Sequence, residues 1–494
     1  MPPVLHWFRQ DLRLGDNPAL SAAVAGGGSV IPVFVLDEQT PGAWTPGAAS
    51  RWWLHHSLAA LGESLRQRGA PLVLRRGPAL EVLPRLAKES GAGALFWTRC
   101  YEPYAARLEA ALASTLAERG IECRRFGGNL LYEPEAIATA DDQSFRVFTP
   151  FWRACSRRPE PKPPLAAPER IPAATEPPRS ERLEDWQLLP VPDWAGGLRA
   201  SWTPGEAGAK AHLTAFVDGA LARYGKERDR VDLAATSRLS PHLHHGEISP
   251  RQCWHAASAV PGARAFLREL GWREFSYHLL HHFPTMPERS FRPEFEHFPW
   301  HSDRRLLERW QRGLTGFPIV DAGMRELWHT GWMHNRARMV TASFLTKHLL
   351  TPWQDGEAWF WDTLVDADLS NNAVSWQWVA GCGADAAPYF RIFNPVLQGQ
   401  KFDPEGDYVR RWLPELTKLP TADLHAPWQA SEPTLRDAGV RLGENYPRPI
   451  VDHREARRRA LAAYEEVKEG RWDGASASSG NSLPAGAPAL PKRR

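Results

Sequence analysis

The sequence predicts two structural units in series: an α/β unit built on a doubly wound parallel sheet, then an all-helical unit. Three observations carry this reading. The chain has 494 residues, and a single core rarely grows past roughly 250 to 300 residues before a chain divides. Short β-branched and aromatic runs alternate with helical stretches up to residue 130. Beyond a proline-rich segment, apolar residues recur at helical spacing almost to Gly470.

In the first unit the runs at 4–8, 30–36, 71–75, 94–98 and 121–126 read as strands, and those at 18–25, 49–68, 79–89 and 104–119 as helices. Such βαβα alternation forms a parallel, Rossmann-like sheet with ligand sites beyond the carboxyl ends of its strands. No GxGxxG follows the first strand, so the dinucleotide fingerprint is missing. From about 149 to 204 the pattern dissolves. The stretch 158–179 holds prolines at 159, 161, 163, 164, 168, 172, 177 and 178, too many for a helix or a central strand. The expected division is an α/β domain over 1–130, a connector over 131–204, a helical domain over 205–472, and a Ser/Gly/Ala/Pro-rich, disordered tail over 473–494.

Composition narrows the class. With 43% hydrophobic and 24% charged residues the chain is globular. Five cysteines, an odd number with no CxxC pair, fit a reducing compartment rather than a disulfide scaffold. No signal peptide opens the chain and no run of 18 apolar residues crosses a membrane, so a cytoplasmic monomer is expected. A net charge of +3 does not announce nucleic acid, and any DNA affinity must come from a local basic patch. The 23 tryptophans outnumber nine tyrosines and 20 phenylalanines, and indoles serve packing, base stacking or electron transfer.

Four constellations carry candidate chemistry. Trp376 and Trp378, at i and i+2 of a helix, point about 200° apart and serve different surfaces. They follow Asp366, Asp368, Asn371 and Asn372, a cluster that an Asx-rich capping turn also explains. Glu269 and Trp272 share one helix face beside Arg273, as a nucleobase pocket needs. Asn335 and Met339 share another face, while Arg336 turns toward the rim, where a guanidinium holds phosphate. In TSRLSP, Ser240 before Pro241 reads as a helix N-cap, with Thr236, Ser237 and Arg238 supplying phosphate-binding groups. The histidines at 242, 244, 245, 278, 281 and 282 lack HExxH or cysteine partners, so no metal is expected and they read as polar core or groove residues.

Together the motifs resemble the cryptochrome/photolyase family. HWFRQDLRLGDNPAL at 6–20, TSRLSPHL, ELGWREF, GFPIVDAGMREL, GWMHNRARM and AWFWDTLVDADLSNNAVSWQWVAGCGADAAPYFRIFNP follow the family's order and spacing over nearly the whole chain. The resemblance implies an α/β domain joined to a helical domain that holds FAD. It assigns FAD contacts to Tyr224, Thr236, Ser237, Arg238, Leu239, Ser240, Arg273, Arg338, Asp366, Asp368 and Asn372, with Asn372 against the flavin N5. Trp376, Trp353 and Trp300 match the chain that passes electrons to the flavin. Trp378 matches the indole that stacks on damaged bases. Glu269, Trp272, Asn335, Arg336 and Met339 match the lesion pocket, and Lys226, Arg228 and Lys401 touch phosphates at its rim.

The implied activity is light-dependent repair of cyclobutane pyrimidine dimers in UV-damaged DNA, by electron transfer from excited reduced FAD to a flipped-out dimer. Within the family the expectation is a class I cyclobutane dimer photolyase, with Glu269 stabilising the dimer radical anion. A blue-light cryptochrome or a (6-4) photolyase is the alternative. Asn335 and Met339 stand where (6-4) enzymes carry a histidine pair, the tail is about 20 residues, and Asn372 is an amide, all of which favour repair. The antenna pigment stays open: Tyr104 and Ala105 occupy the place of the Asn-Glu pair of folate-binding relatives, which leaves a deazaflavin, a differently bound methenyltetrahydrofolate, or none.

Overall fold

A computed structural model describes residues 1–386 and 391–470. The tail expected to be disordered over 473–494, and the centre of the ADAAPYFRIFNP motif, lie outside the described residues.

Five parallel strands, β1 (Val4–Phe8), β2 (Val30–Leu36), β3 (Val73–Arg76), β4 (Ala94–Thr98) and β5 (Glu122–Phe126), form one sheet in the order β3-β2-β1-β4-β5. Helices α1 (Pro18–Ala25), α2 (Ala48–Gln67), α3 (Ala79–Ser90) and α4 (Pro103–Ala117) cover it. Successive side chains point to opposite faces: Leu5 and Trp7 join a core with Val82, Leu83, Leu112 and Leu116 of α3 and α4, whereas Phe8 and Phe34 join one with Leu20, Leu58 and Leu61 of α1 and α2. All of β2 is buried, which is why it reads as an unbroken apolar run.

The stretch expected as a connector contains a regular element, α5 (Phe148–Ser156). Phe148, Phe151 and Cys155 are its buried face at helical spacing, and Pro150 sits in its first turn, where a missing N–H costs nothing. The proline-rich segment after it lies along the α/β unit. Ile171 N donates to Arg68 O (2.8 Å), Val30 N to Pro172 O (2.7 Å) and Glu181 N to Leu74 O (3.0 Å), while Trp186 packs 6.1 Å from the Phe34 ring.

The second unit is helical. Its helices include α6 (Arg264–His282), α7 (Pro318–Thr330), α8 (Asn335–Ser343), α9 (Trp353–Thr363), α10 (Leu369–Ala380) and α11 (His453–Lys468). They enclose a core that includes Trp310, Trp353, Phe360 and Trp376. Polar contacts tie the units together at buried positions. Trp53 Nε1 donates to Glu247 Oε1 (2.9 Å), Trp361 Nε1 to Thr45 O (2.9 Å) and Ala48 N to Asp362 Oδ1 (2.9 Å). Fully buried Arg13 donates to the carbonyls of Gly128 and Gly246, each at 2.9 Å.

Among the described residues no helix is long and apolar enough to cross a membrane, and no group of three or more His, Cys, Asp or Glu is arranged to hold a metal ion. The histidines have structural partners: His242 pairs with Glu247, and His278 Nε2 accepts from Phe145 N at 3.0 Å.

Candidate functional site

A cavity of about 350 Å³ opens between α6, α8 and α10. Its position follows from helical spacing on α10, where Asn372, Trp376 and Val379 fall at i, i+4 and i+7 and all three line it. Asp368 caps this helix by accepting from Asn371 N at 2.8 Å, so the acidic turn and the tryptophan helix are one unit. Burial alone raises the Asp368 pKa, but the His244 ring 3.7 Å away, the charge of Arg273 and a hydrogen bond from Tyr277 outweigh it and hold the carboxyl well below the usual range. Asp368 is therefore a fixed anion inside the protein.

Around it the cavity is charged at one end and apolar at the other. Arg338 Nη2 reaches Asp366 at 2.8 and 3.1 Å. Arg273, with its Cζ 4.9 Å from the Tyr277 ring, donates to Asn129 O at 2.8 Å and so links the cavity to the end of the α/β unit. Asn372 Nδ2 donates to Glu357 O at 3.1 Å, which leaves its amide oxygen for a partner in the cavity. Phe360, Leu364 and Val379 supply the apolar wall.

The residues expected at the lesion are also prearranged. The Trp272 ring stacks on Phe148 at 3.8 Å and 9° between planes, so α5 fixes the indole in orientation. Asn335 Nδ2 lies 3.9 Å from Met339 Sδ on the same turn of α8. The Glu269 carboxylate pairs with Arg228, whose Nη2 donates to Oε2 at 2.9 Å.

Of the expected flavin contacts, Tyr224, Ser237, Ser240, Arg273, Arg338, Asp366, Asp368 and Asn372 line this one cavity, and of the lesion contacts Glu269, Trp272, Asn335 and Met339 do. Thr236, Arg238, Leu239, Arg336, Trp378, Lys226, Arg228 and Lys401 are not among the lining residues. Trp376 and Trp378 do differ in surroundings: Trp376 is both 2% exposed and on the cavity, whereas Trp378 is half-buried against the main core. Trp353 is fully buried and Trp300 is half-buried beside Phe298 at 4.4 Å. The ring neighbours of Trp376 are Phe360 at 4.9 Å and Trp310 at 6.2 Å. A Cβ at Gly356 of α9 would lie 2.1 Å from Trp376 Cη2, so the helix backbone itself packs on the indole.

One local expectation fails. Ser240 is not an N-cap: the short helix Ser240–His244 begins at it, Leu239 precedes as the cap, and the hydroxyl accepts from Trp332 Nε1 at 3.2 Å. The hydroxyl is drawn away because a buried indole N–H needs an acceptor. Sequence reasoning also missed Phe266, Leu270, Phe360, Leu364, Ser375 and Val379 as lining residues. Ser375 and Val379 were findable by counting along α10 from Asn372.

The donor set fits FAD. Two guanidinium groups with an ordered carboxylate suit a cofactor with ring and phosphate ends. Outside that lining, half-buried Arg238 has an unpartnered Nε, a left-handed φ of 52° and its guanidinium 4.3 Å from the Trp202 ring.

Comparison with known proteins agrees with this geometry. Residues 4–169 match the family model described as DNA photolyase, and residues 266–466 the FAD binding domain of DNA photolyase. A deoxyribodipyrimidine photo-lyase of Agrobacterium fabrum is 52% identical, with 94% of this chain and 98% of that protein aligned. Cryptochrome-1 of Arabidopsis thaliana is 41% identical over 93% of this chain and 70% of its own length. The crystal structure of a bacterial class III photolyase from Agrobacterium tumefaciens superposes with a TM-score of 0.92 at 51% identity, covering 95% of this chain and 98% of that one. The expected nearness to class I enzymes is therefore not supported, since a relative this similar is of class III.

Proposed function

Because the chain belongs to the DNA photolyase family, we propose that it repairs cyclobutane pyrimidine dimers in DNA by using light, as a deoxyribodipyrimidine photo-lyase with FAD. The observation that carries this reading is a single cavity lined both by Asn372, Trp376, Arg338 and Asp366, expected at the flavin, and by Glu269, Trp272, Asn335 and Met339, expected at the lesion. A cofactor and a pyrimidine dimer flipped out of the duplex would share one space, so an electron would cross between them without leaving the protein interior.

When bound, FAD supplies the light absorption and the electron. The chain supplies position and charge. Arg338 and Asp366 would help hold the cofactor, and the Asn372 amide oxygen would be left to meet its ring. Trp272, held flat by Phe148, offers a stacking plane to a flipped pyrimidine, and unstacking costs least where the base is already damaged. Glu269 would hydrogen-bond the dimer and stabilise charge that develops on it. Trp376, Trp353 and Trp300 would deliver reducing electrons from the surface. All five cysteines are free, which supports a reducing compartment such as the cytoplasm.

The test is blue-light illumination of flavin-loaded protein with a dimer-containing oligonucleotide. Loss of dimers is expected. Dimers left intact while the flavin bleaches would favour a photoreceptor, in keeping with the 41% identical cryptochrome. Glu269→Ala is expected to lower repair per photon with flavin retained. An antenna pigment is tested by the absorption spectrum and mass of material released on denaturation.

A further inference from the structure

Beside the cavity, three residues expected to meet DNA, Arg228, Glu269 and Arg336, are joined through Asp229 into an arrangement of ion pairs. Arg228 and Asp229 are neighbours just beyond the short helix Tyr224–Glu227, and they reach in opposite directions. Arg228 Nη2 donates to Glu269 Oε2 on α6 at 2.9 Å. Asp229 Oδ2 lies 2.9 Å from Arg336 Nη2 on α8. One dipeptide thus joins two walls by ion pairs of opposite sense.

Both arginines are seated on rings, Arg228 at 5.4 Å from Tyr224 and Arg336 at 4.3 Å from Phe402. Val231 N donates to Phe402 O at 3.0 Å, which pins the far end of the segment beside Arg336. Among the described residues Lys226 and Lys401 make no ion pair, and Lys401 Nζ lies 5.1 Å from the same Phe402 ring, whereas both arginines are neutralised. A guanidinium suited to bidentate phosphate contact is in each case held by an internal carboxylate.

We propose that Arg228 and Asp229 form a charge latch: Asp229 and Glu269 stand in for DNA phosphates in the free protein, and an arriving strand opens the latch by taking both arginines. The inference rests on the repair reading above. Glu269 is released toward the cavity only after a phosphate holds Arg228, so a polar contact to a base inside is conditional on a backbone contact outside. Asp229 does not line the cavity, and its effect is competition with phosphate for Arg336.

Asp229→Asn keeps the shape and removes the competitor. Binding of a single-stranded thymidine oligonucleotide, undamaged or ultraviolet-irradiated, is measured in the dark by fluorescence anisotropy on flavin-loaded protein at low and physiological ionic strength. Both affinities are expected to rise about three- to fivefold at low salt, with flavin content unchanged. Glu269→Gln frees Arg228, so the undamaged strand binds tighter by a similar factor while the preference for the irradiated strand falls. Unchanged or weaker binding of the undamaged strand by both variants overturns the latch. Asp229→Ser takes the place of the first variant if that one loses flavin. Wild-type protein that binds both strands equally and repairs none in blue light overturns the repair reading instead, while tightening by Asp229→Asn still supports the latch.

Discussion

Arg338 and Asp366 face each other on the cavity wall, with Nη2 at 2.8 Å from one carboxylate oxygen and 3.1 Å from the other. The Arg338 Nε donates to Met333 O at 2.7 Å, so the guanidinium is held by α8's own approach and the carboxylate by the guanidinium. The pair ties α8 to the turn between α9 and α10, 28 residues away in sequence.

Arg338→Ala leaves a nearly buried carboxylate unpaired. The expected cost is about 3 kcal/mol of stability, with loss of bound flavin. Flavin absorbance per protein and the thermal midpoint check it; a variant that keeps both would show the pair to be incidental.

Gly356→Ala drives a methyl into Trp376, since a Cβ there would stand 2.1 Å from Cη2. Overpacking of this kind costs about 1–3 kcal/mol. Photoreduction of bound flavin, followed by its bleaching in blue light, is expected to slow as the indole shifts. A normal rate would mean that the indole tolerates displacement.

Gly47→Ala probes the junction between the units. Its Cβ would meet Asp362 Cα at 2.4 Å and Trp361 O at 2.5 Å, both backbone atoms of α9 that cannot step aside cheaply. Weaker docking of α2 is expected, seen as a lower thermal midpoint and faster amide exchange at residues 45–50. Exchange unchanged there would refute it.

Glu326 gives a pH prediction. Burial pushes its carboxyl from the ordinary 4.5 up to about 7, against hydrogen bonds from Tyr408 and from His334 N. The folded protein thus keeps a proton that the unfolded chain releases, so this group's contribution to stability falls as pH rises from about 4.5 to about 7 and is level on either side. The full change is about 3 kcal/mol. In Glu326→Gln the slope of thermal midpoint against pH should flatten in that window; an unaltered slope would assign the titration elsewhere.

The strands and long helices were legible because burial on both faces makes an unbroken apolar run, as in β2, and burial on one face makes a 3.6-residue rhythm, as in α3. Asn371 and Asn372 read as part of a non-helical turn, whereas they lie inside α10, so the face that Asn372 shares with Trp376 was missed. Partners were not. Periodicity names the face of a helix and is silent on what covers it, so Phe148 beneath Trp272 and Arg228 beside Glu269 could not be read from either segment alone. Helix α5 escaped because prolines around it dominate the local composition, although Phe148, Phe151 and Cys155 keep the right spacing. Ser240 misled because capping preference is a local rule, and Trp332, 92 positions away, supplied a stronger claim on the hydroxyl.

The proline-rich segment that lies against the α/β unit also decides how the molecule responds to being cut. Its carbonyls accept from Val30, and its amides donate to Arg68 and Leu74, so hydrogen bonds and the Trp186 side chain hold it on both sides of any scission near 160–180. A protease that nicks the backbone there should yield two bands under denaturing electrophoresis and one particle, of unchanged hydrodynamic radius, in native solution.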